Sequence, residues 1–154
     1  MQLSDFLRAD AVRLIGDATS KKRLFQRLGE VSSQVYGCKA GRAIEALMDR
    51  ESLGPTGVGH GVALPHARIE GPDAVCGLFF KLERPMDFGA VDRQPVDLIF
   101  ALIAPEAAGV EHLKALAVVS RTLRDPHICA KLRANYSPDT LYTVLTEGHA
   151  SAAA

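Results

Sequence analysis

The sequence predicts a single α/β domain in which a mixed β-sheet is sandwiched by α-helices. A length of 154 residues, 47% of them hydrophobic, fits one domain with one well-filled core. Two apolar stretches, 74–82 and 96–103, have the length and composition of buried strands. Amphipathic helical patterns precede and follow these strands. The domain is predicted over residues 1–147, and residues 148–154 are expected to form a disordered tail.

Two helices are predicted in the first third of the chain. Thr19 or Ser20 can cap a helix that runs to about Tyr36, and Gly37 is expected to end it. Its apolar positions recur at helical spacing on one face: Leu24, Phe25, Leu28, Val31 and Val35. A second helix is predicted over 40–50, with four apolar side chains turned inward: Ala43, Ile44, Leu47 and Met48.

The composition of the sequence changes after the second helix. Four glycines fall between Gly54 and Gly61, so this segment is predicted to be irregular backbone that can approach a ligand closely. A short strand over 62–64 should follow and stop at Pro65. Such a stop would present the next side chain, His66, at a strand end beside a cleft.

The remaining elements complete the predicted fold. The run from Leu98 to Ala104 is apolar without alternation, as is typical of a strand covered on both faces. Three helices should follow, over 110–124, 126–134 and 138–146. The last two begin with proline, which is tolerated in a first helical turn because its missing N–H would be unpaired there anyway.

Composition excludes several classes of protein. The formal net charge is zero, which argues against extensive binding to nucleic acid. The sequence contains no uncharged apolar run near the ~18–20 residues that a membrane-spanning helix needs, and an early Asp argues against a secretory signal. The three cysteines are widely spaced without a C-x-x-C motif, so free thiols in a reducing cytoplasm are expected.

The glycine-rich segment does not match known phosphate-binding motifs. Gly54 and Gly59 have the spacing of a Walker A loop, but His60 and Gly61 stand where that loop needs Lys and Ser or Thr. A dinucleotide-binding fingerprint fails as well, because Val62 occupies the position of its third glycine. G-x-S-x-G and H-E-x-x-H are also missing from the sequence.

Three polar residues are the candidates for a site. His66 follows the glycine-rich segment, and a surface or structural histidine is the alternative interpretation. His112 falls on the inward face of the predicted helix over 110–124, where it needs a polar partner. The alternative interpretation is a core histidine bonded to a backbone carbonyl. Arg50 ends the second helix, where it either complements the helix dipole or supplies a guanidinium for a phosphoryl group. Sequence spacing alone does not show whether the three lie together.

The segment from Arg50 to His66, RESLGPTGVGHGVALPH, closely resembles the signature of the enzyme IIA family of the phosphotransferase system, of the fructose/mannitol type. The nitrogen-regulatory branch, IIA-Ntr, is the most similar. The stretch QPVDLIFALIAP over 94–105 and the segment from His112 to Arg121 also resemble this family. The resemblance spans residues 5–146 and implies a phosphotransferase-system IIA type-2 domain with an α/β sandwich fold.

The resemblance also implies roles for individual residues. His66 matches the histidine that accepts a phosphoryl group from an HPr-like phosphocarrier, and His112 matches the histidine that supports it. Arg50 matches the arginine beside the phosphoryl group. Thr56 matches the signature threonine, and Thr56, Gly57 and Gly59 are expected to bind phosphate through the loop. No metal or cofactor is implied, because the donor is a protein phosphohistidine.

Three hypotheses for function follow. The first is a cytoplasmic regulatory phosphocarrier that controls target proteins, such as transporters or kinases, according to the phosphorylation state of His66. The second is a sugar-specific IIA component that passes the phosphoryl group to a IIB partner during fructose or mannitol uptake. The third is a metal-dependent hydrolase that uses His60, His66 and His112, although their spacing matches no zinc pattern.

Overall fold

The computed structural model describes residues 1–153, with side chains described for residues 1–147. The predicted disordered tail over 148–154 therefore lies outside the residues described in full. The structure contains six strands: β1 (Leu7–Ile15), β2 (Gly57–Gly59), β3 (Val62–Ala63), β4 (His66–Ile69), β5 (Cys76–Met86) and β6 (Val96–Pro105). It also contains five α-helices: α1 (Lys21–Tyr36), α2 (Ala40–Leu53), α3 (Val110–Leu123), α4 (Pro126–Ala134) and α5 (Pro138–Ala153).

All six strands belong to one mixed sheet, as predicted. The strand order is β1-β5-β6-β3-β2, and β4 pairs with β6 beyond the end of β3. Strands β3 and β4 run parallel to β6, whereas β5 and β6 are antiparallel. Helices α1 and α2 pack on each other and on β1, β4 and β5, while α3, α4 and α5 contact one another and the strands β1 and β6. The prediction of a single helix-covered sheet is confirmed.

The centre of the core is the antiparallel pair β5–β6. The side chains of Phe79, Phe80 and Phe100 are 0–1% exposed, and those of Leu98 and Ile99 are fully buried. Adjacent residues that point to opposite faces are all buried, so this pair is covered on both sides. The apolar run from 98 to 104 therefore has the environment that its lack of alternation predicted.

The first helix begins and ends where its local sequence predicts. The Ser20 side chain accepts a hydrogen bond from the backbone N–H of Arg23, which pairs one of the free donors at the helix N-terminus. Gly37 adopts φ 74°, a left-handed conformation that glycine allows at a helix end. Leu24, Leu28 and Val31 are fully buried. The ends of this helix thus depend on contacts within a few residues.

Strand β1 was not predicted. It carries the charged residues Arg8, Asp10 and Arg13 and lies at one edge of the sheet, paired only with β5 among the described strands. Because an edge strand can keep polar residues in solvent, its sequence lacks the apolar signal of a buried strand.

Two boundaries around the glycine-rich segment also differ from the prediction. Residues 57–59 form β2, which pairs antiparallel with β3, so the segment is not irregular throughout. Pro65 does not end the sheet either, because His66 opens a further strand in register with Leu102. Backbone pairing with β6 continues across the proline, whose carbonyl accepts from the Leu102 N–H.

Two properties inferred from composition can be compared with the structure. Cys38, Cys76 and Cys129 are free thiols, and all three are buried, a burial that was not predicted from the sequence. Within the described part of the chain, every helix is too short or too polar to cross a bilayer.

Candidate functional site

His66 is the first residue of β4 and is half-buried. Its ring Nδ1 lies 2.8 Å from the carbonyl oxygen of Leu64. A carbonyl oxygen only accepts hydrogen bonds, so Nδ1 carries the proton and donates it. The lone pair of the neutral ring is then on Nε2, which makes Nε2 the nucleophilic nitrogen.

His112 lies in the first turn of α3 with 6% of its surface exposed, so its predicted inward orientation is confirmed. Its ring is edge-on to the His66 ring, with 5.7 Å between the centroids and 65° between the planes. The two histidines, 46 positions apart in the sequence, therefore share one site. Burial, followed by the charges of His66 and Arg68, lowers the pKa of His112.

An open pocket of about 590 Å³ surrounds the two histidines. Arg50, near the end of α2, lines it, and the Arg50 Nη1 donates to the Gly54 carbonyl oxygen at 2.9 Å. Arg68, two residues after His66, lines it as well. The structure thus brings together all three candidates identified in the sequence and adds a second guanidinium.

The loop residues expected to bind phosphate lie elsewhere. Thr56 is buried, and both its backbone N–H and its hydroxyl donate to the carboxylate of Glu51. Gly57 packs so closely on Ala90 that an added Cβ would lie 2.9 Å from the Ala90 side chain. None of Thr56, Gly57 and Gly59 lines the histidine pocket, because hydrogen bonds and close packing direct them to other parts of the fold.

His60 also lies outside the pocket that contains His66 and His112. Gly59 and His60 line a different cavity, together with Arg124 and Arg133. The hypothesis of a metal-dependent hydrolase needs His60 beside His66 and His112, and the fold does not provide that arrangement. No cluster of three His, Cys, Asp or Glu side chains suited to a metal occurs among the residues with described side chains.

Two residues of the site region were missed in the sequence. Arg68 follows His66 by two positions, and residues two apart on a strand point to the same face, so this spacing is a usable signal. Glu51 has a side chain only 7% exposed that accepts from Lys21 at 2.8 Å and from Thr56. Its burial depends on the packing of α2 against α1 and the loop, and no local pattern predicts it.

The lowered pKa of His112 predicts a pH-dependent stability. In the unfolded chain the ring titrates near pH 6.5, whereas in the folded protein it binds a proton only at lower pH. As the pH falls through that interval, the unfolded state binds more protons and the free energy of unfolding decreases. Urea unfolding at about pH 7.5 and about pH 5 should show a smaller loss for His112→Asn than for the wild type. Equal losses would contradict this.

The chain is similar to proteins of known family and known structure. The family model described as "Phosphoenolpyruvate-dependent sugar phosphotransferase system, EIIA 2" matches residues 5–148. The nitrogen regulatory protein of Bradyrhizobium diazoefficiens is 42% identical over 153 residues, which cover 99% of this chain and 100% of that protein. That of Escherichia coli K12 is 37% identical over 148 residues, covering 96% and 91%. The crystal structure of nitrogen regulatory protein IIA-Ntr from Neisseria meningitidis has a TM-score of 0.85 at 33% identity, covering 94% and 99%.

Proposed function

Because the chain belongs to the EIIA 2 family of the phosphoenolpyruvate-dependent sugar phosphotransferase system, we propose that it is a regulatory phosphocarrier. His66 accepts a phosphoryl group from an HPr-like protein, and target proteins respond to its phosphorylation state. The observation that carries this proposal is the His66 ring, which is fixed by the Leu64 carbonyl with Nε2 available in an open pocket. The names of the relatives support the regulatory assignment, and the free thiols support the cytoplasm as its compartment.

The transfer needs no net movement of protons. Nε2 of neutral His66 forms the new P–N bond while the P–N bond of the donor breaks and its electron pair returns to the donor imidazole. The His66 ring becomes positively charged and keeps its Nδ1 proton, which the Leu64 carbonyl oxygen accepts. A charge-assisted hydrogen bond is stronger than a neutral one, so the Leu64 carbonyl stabilises the phosphorylated ring more than the free ring.

The walls of the pocket can stabilise the transferring group. Phosphoryl transfer passes through a loose transition state and depends mainly on alignment and on stabilisation of charge. The Arg50 guanidinium and the His112 ring both line the pocket that contains His66. Guanidinium groups match the geometry of phosphoryl oxygens, and a positioned N–H group adds a further donor.

Phosphorylation would change the surface that a partner meets. It places a phosphoryl group that carries roughly 1.5–2 negative charges on the surface beside the His66 ring. Leu53, which lines the same pocket, is 85% exposed and offers an apolar contact beside that charge. A target that binds through Leu53 would therefore meet either an open cationic pocket or an anionic group.

Acceptance of the phosphoryl group is tested by determining which ring nitrogen of His66 is modified. Protein labelled with 15N-histidine is phosphorylated by an HPr-type donor and followed by long-range 1H–15N NMR. We expect the phosphoryl group on Nε2 of His66. A phosphoryl group on Nδ1 would contradict the proposed role of the Leu64 carbonyl.

The regulatory assignment has its own test. Affinity capture with wild-type protein and with the variants His66→Ala and His66→Asp should recover target proteins whose binding differs between the phosphorylated and unmodified wild-type baits. The sugar-uptake alternative predicts instead that phosphorylated protein passes its label to a IIB partner. Rapid transfer to such a partner, with no state-dependent target, would favour that alternative.

Replacing Arg50 with alanine should slow phosphorylation about 100-fold, the effect expected when one donor to a developing anionic charge is removed. The rate of label uptake from the donor is the measurement. Arg42→Ala is the matched control, because Arg42 lies on the same helix but is exposed and outside the pocket. An unchanged rate in Arg50→Ala would remove Arg50 from the site. Arg50→Lys keeps the positive charge but lacks the planar guanidinium, so its rate separates the effect of charge from the effect of geometry.

A further inference from the structure

We propose that Arg68 is a positioning residue that holds His112 as its neutral Nε2–H tautomer and so prepares a hydrogen-bond donor for the phosphoryl group on His66. This inference rests on the proposed function, because it assigns a role in the same transfer. Arg68 was not among the candidates from the sequence, and it enters through a single contact in the folded protein.

The contact determines where the His112 proton is. Nε of Arg68 donates to Nδ1 of His112 at 3.1 Å. A guanidinium has donors and no acceptor, so the nitrogen that it faces must carry a lone pair. The single proton of neutral His112 is therefore on Nε2. An imidazolium would place an N–H group and a second positive charge against the guanidinium, so the contact disfavours the charged form.

The other ring nitrogen is left without a partner. Nε2 of His112 is buried and has no hydrogen-bond partner among the residues with described side chains. A buried unpaired donor is unfavourable and uncommon, and such an atom calls for an explanation. Here the His66 ring is the neighbour, with its centroid 5.7 Å away. A phosphoryl oxygen on His66 is a strong acceptor next to this unpaired donor.

The unpaired donor gives the site a preference between its two states. In the unmodified protein the Nε2–H of His112 makes no hydrogen bond to any residue of the part with described side chains, so phosphorylation breaks none there. In the phosphorylated protein it can donate to an anionic oxygen. The hydrogen bond can form only when the phosphoryl group is on His66, so it stabilises the phosphorylated state relative to the unmodified one.

Regular elements fix the backbone at both ends of this contact, while the Arg68 side chain itself is exposed. Arg68 and His66 lie two residues apart on β4, which is paired with β6 through His66–Leu102 and Arg68–Ala104. His112 is held in the first turn of α3, whose buried face packs on the core through Ala115 and Val119. Both ends of the Arg68–His112 contact therefore stand on regular elements rather than on a loop.

Burial lowers the pKa of His112, and the charges of His66 and Arg68 act in the same direction. Arg50 and Asp49 are the other charged residues that line the pocket around His112. Removing the Arg68 guanidinium should move the pKa of His112 upward, towards its ordinary value. It should also free Nδ1 to carry the proton, so both tautomers become populated.

The test combines a tautomer measurement with a rate measurement. Long-range 1H–15N NMR of the wild type should show His112 with its proton on Nε2, and Arg68→Ala should show mixed tautomers and a higher pKa for His112. Phosphorylation of Arg68→Ala by an HPr-type donor should slow by the factor by which the Nε2–H tautomer of His112 is depopulated, about 2-fold if the two tautomers become equally populated. Arg68→Lys, which still places a cationic donor there, should recover part of the rate.

Arg121→Ala is the matched control, since Arg121 lies on α3, is exposed and does not line the pocket. A wild-type tautomer and pKa for His112 in Arg68→Ala would overturn the inference, and so would an unchanged rate of phosphorylation. Failure of the proposed function looks different: wild-type His66 would take up no label. That result removes the role in transfer, while the tautomer measurement still decides whether Arg68 controls His112.

Discussion

Replacing His66 with alanine should abolish uptake of a phosphoryl group from an HPr-type donor, lowering the rate at least about a thousandfold. His66 supplies the nucleophilic Nε2, and His112 cannot replace it because its own Nε2 is buried and carries the proton. The fold should persist, since His66 is half-buried and its recorded hydrogen bond is to the carbonyl two residues earlier. The measurement is incorporation of label from the phosphorylated donor, with stability followed by urea unfolding.

The control for this prediction is His127→Ala. The His127 side chain is exposed on α4, outside the residues that line the histidine pocket, so uptake of label should remain at the wild-type level. Label incorporated into His66→Ala at a comparable rate would place the acceptor on another residue. Loss of label in both variants would instead indicate damage to the surface that the donor recognises.

Replacing Glu51 with alanine should lower the free energy of unfolding by about 2–4 kcal/mol. The Glu51 carboxylate accepts the backbone N–H and the hydroxyl of Thr56 and pairs with Lys21 at 2.8 Å. Without it, both Thr56 donors lose their recorded acceptor in a residue that is 5% exposed. Lys21 is 31% exposed at its side chain and can be rehydrated, so the loss stays below that of a fully buried ion pair.

The free energy of unfolding of Glu51→Ala is measured by urea unfolding. The slope of this free energy against urea concentration should stay at its wild-type value. Glu45→Ala is the matched control on the same helix, because Glu45 is exposed, and its effect should stay within about 0.5 kcal/mol. Glu51→Gln keeps an oxygen acceptor but loses the charge, so an intermediate loss is expected. A loss below about 1 kcal/mol in Glu51→Ala would mean that Thr56 finds other partners.

Elements with local determinants were predicted well from the sequence. Helix α1 begins at the Ser20 cap and ends at Gly37, as its sequence indicates, and α4 spans Pro126–Ala134 as predicted. The capping hydrogen bonds and the left-handed glycine involve residues only a few positions apart. Strand β6 was recognisable for a related reason: an apolar run of that length is stable only when it is covered on both faces.

Elements that depend on distant partners were missed or misjudged. Strand β1 has the composition of a solvent-exposed segment and becomes a strand only through its backbone pairing with β5. Strand β2 exists because its glycines pair with β3. Pro65 indicates a strand end locally, but pairing with β6 carries the sheet past it and places His66 at the start of β4.

The sequence by itself predicted three candidate residues: His66, His112 on the inward face of a helix, and Arg50 at a helix end. Residue type and local periodicity selected these residues, and the resemblance to the enzyme IIA family supplied their expected roles. The tertiary structure decided which of these residues meet, because β4, α2 and α3 come together only through the sheet and the core. It also decided the protonation of both imidazoles, since the Leu64 carbonyl and the Arg68 guanidinium select the tautomers. A hydrogen bond between residues 44 positions apart has no local signature, so only the fold could reveal it.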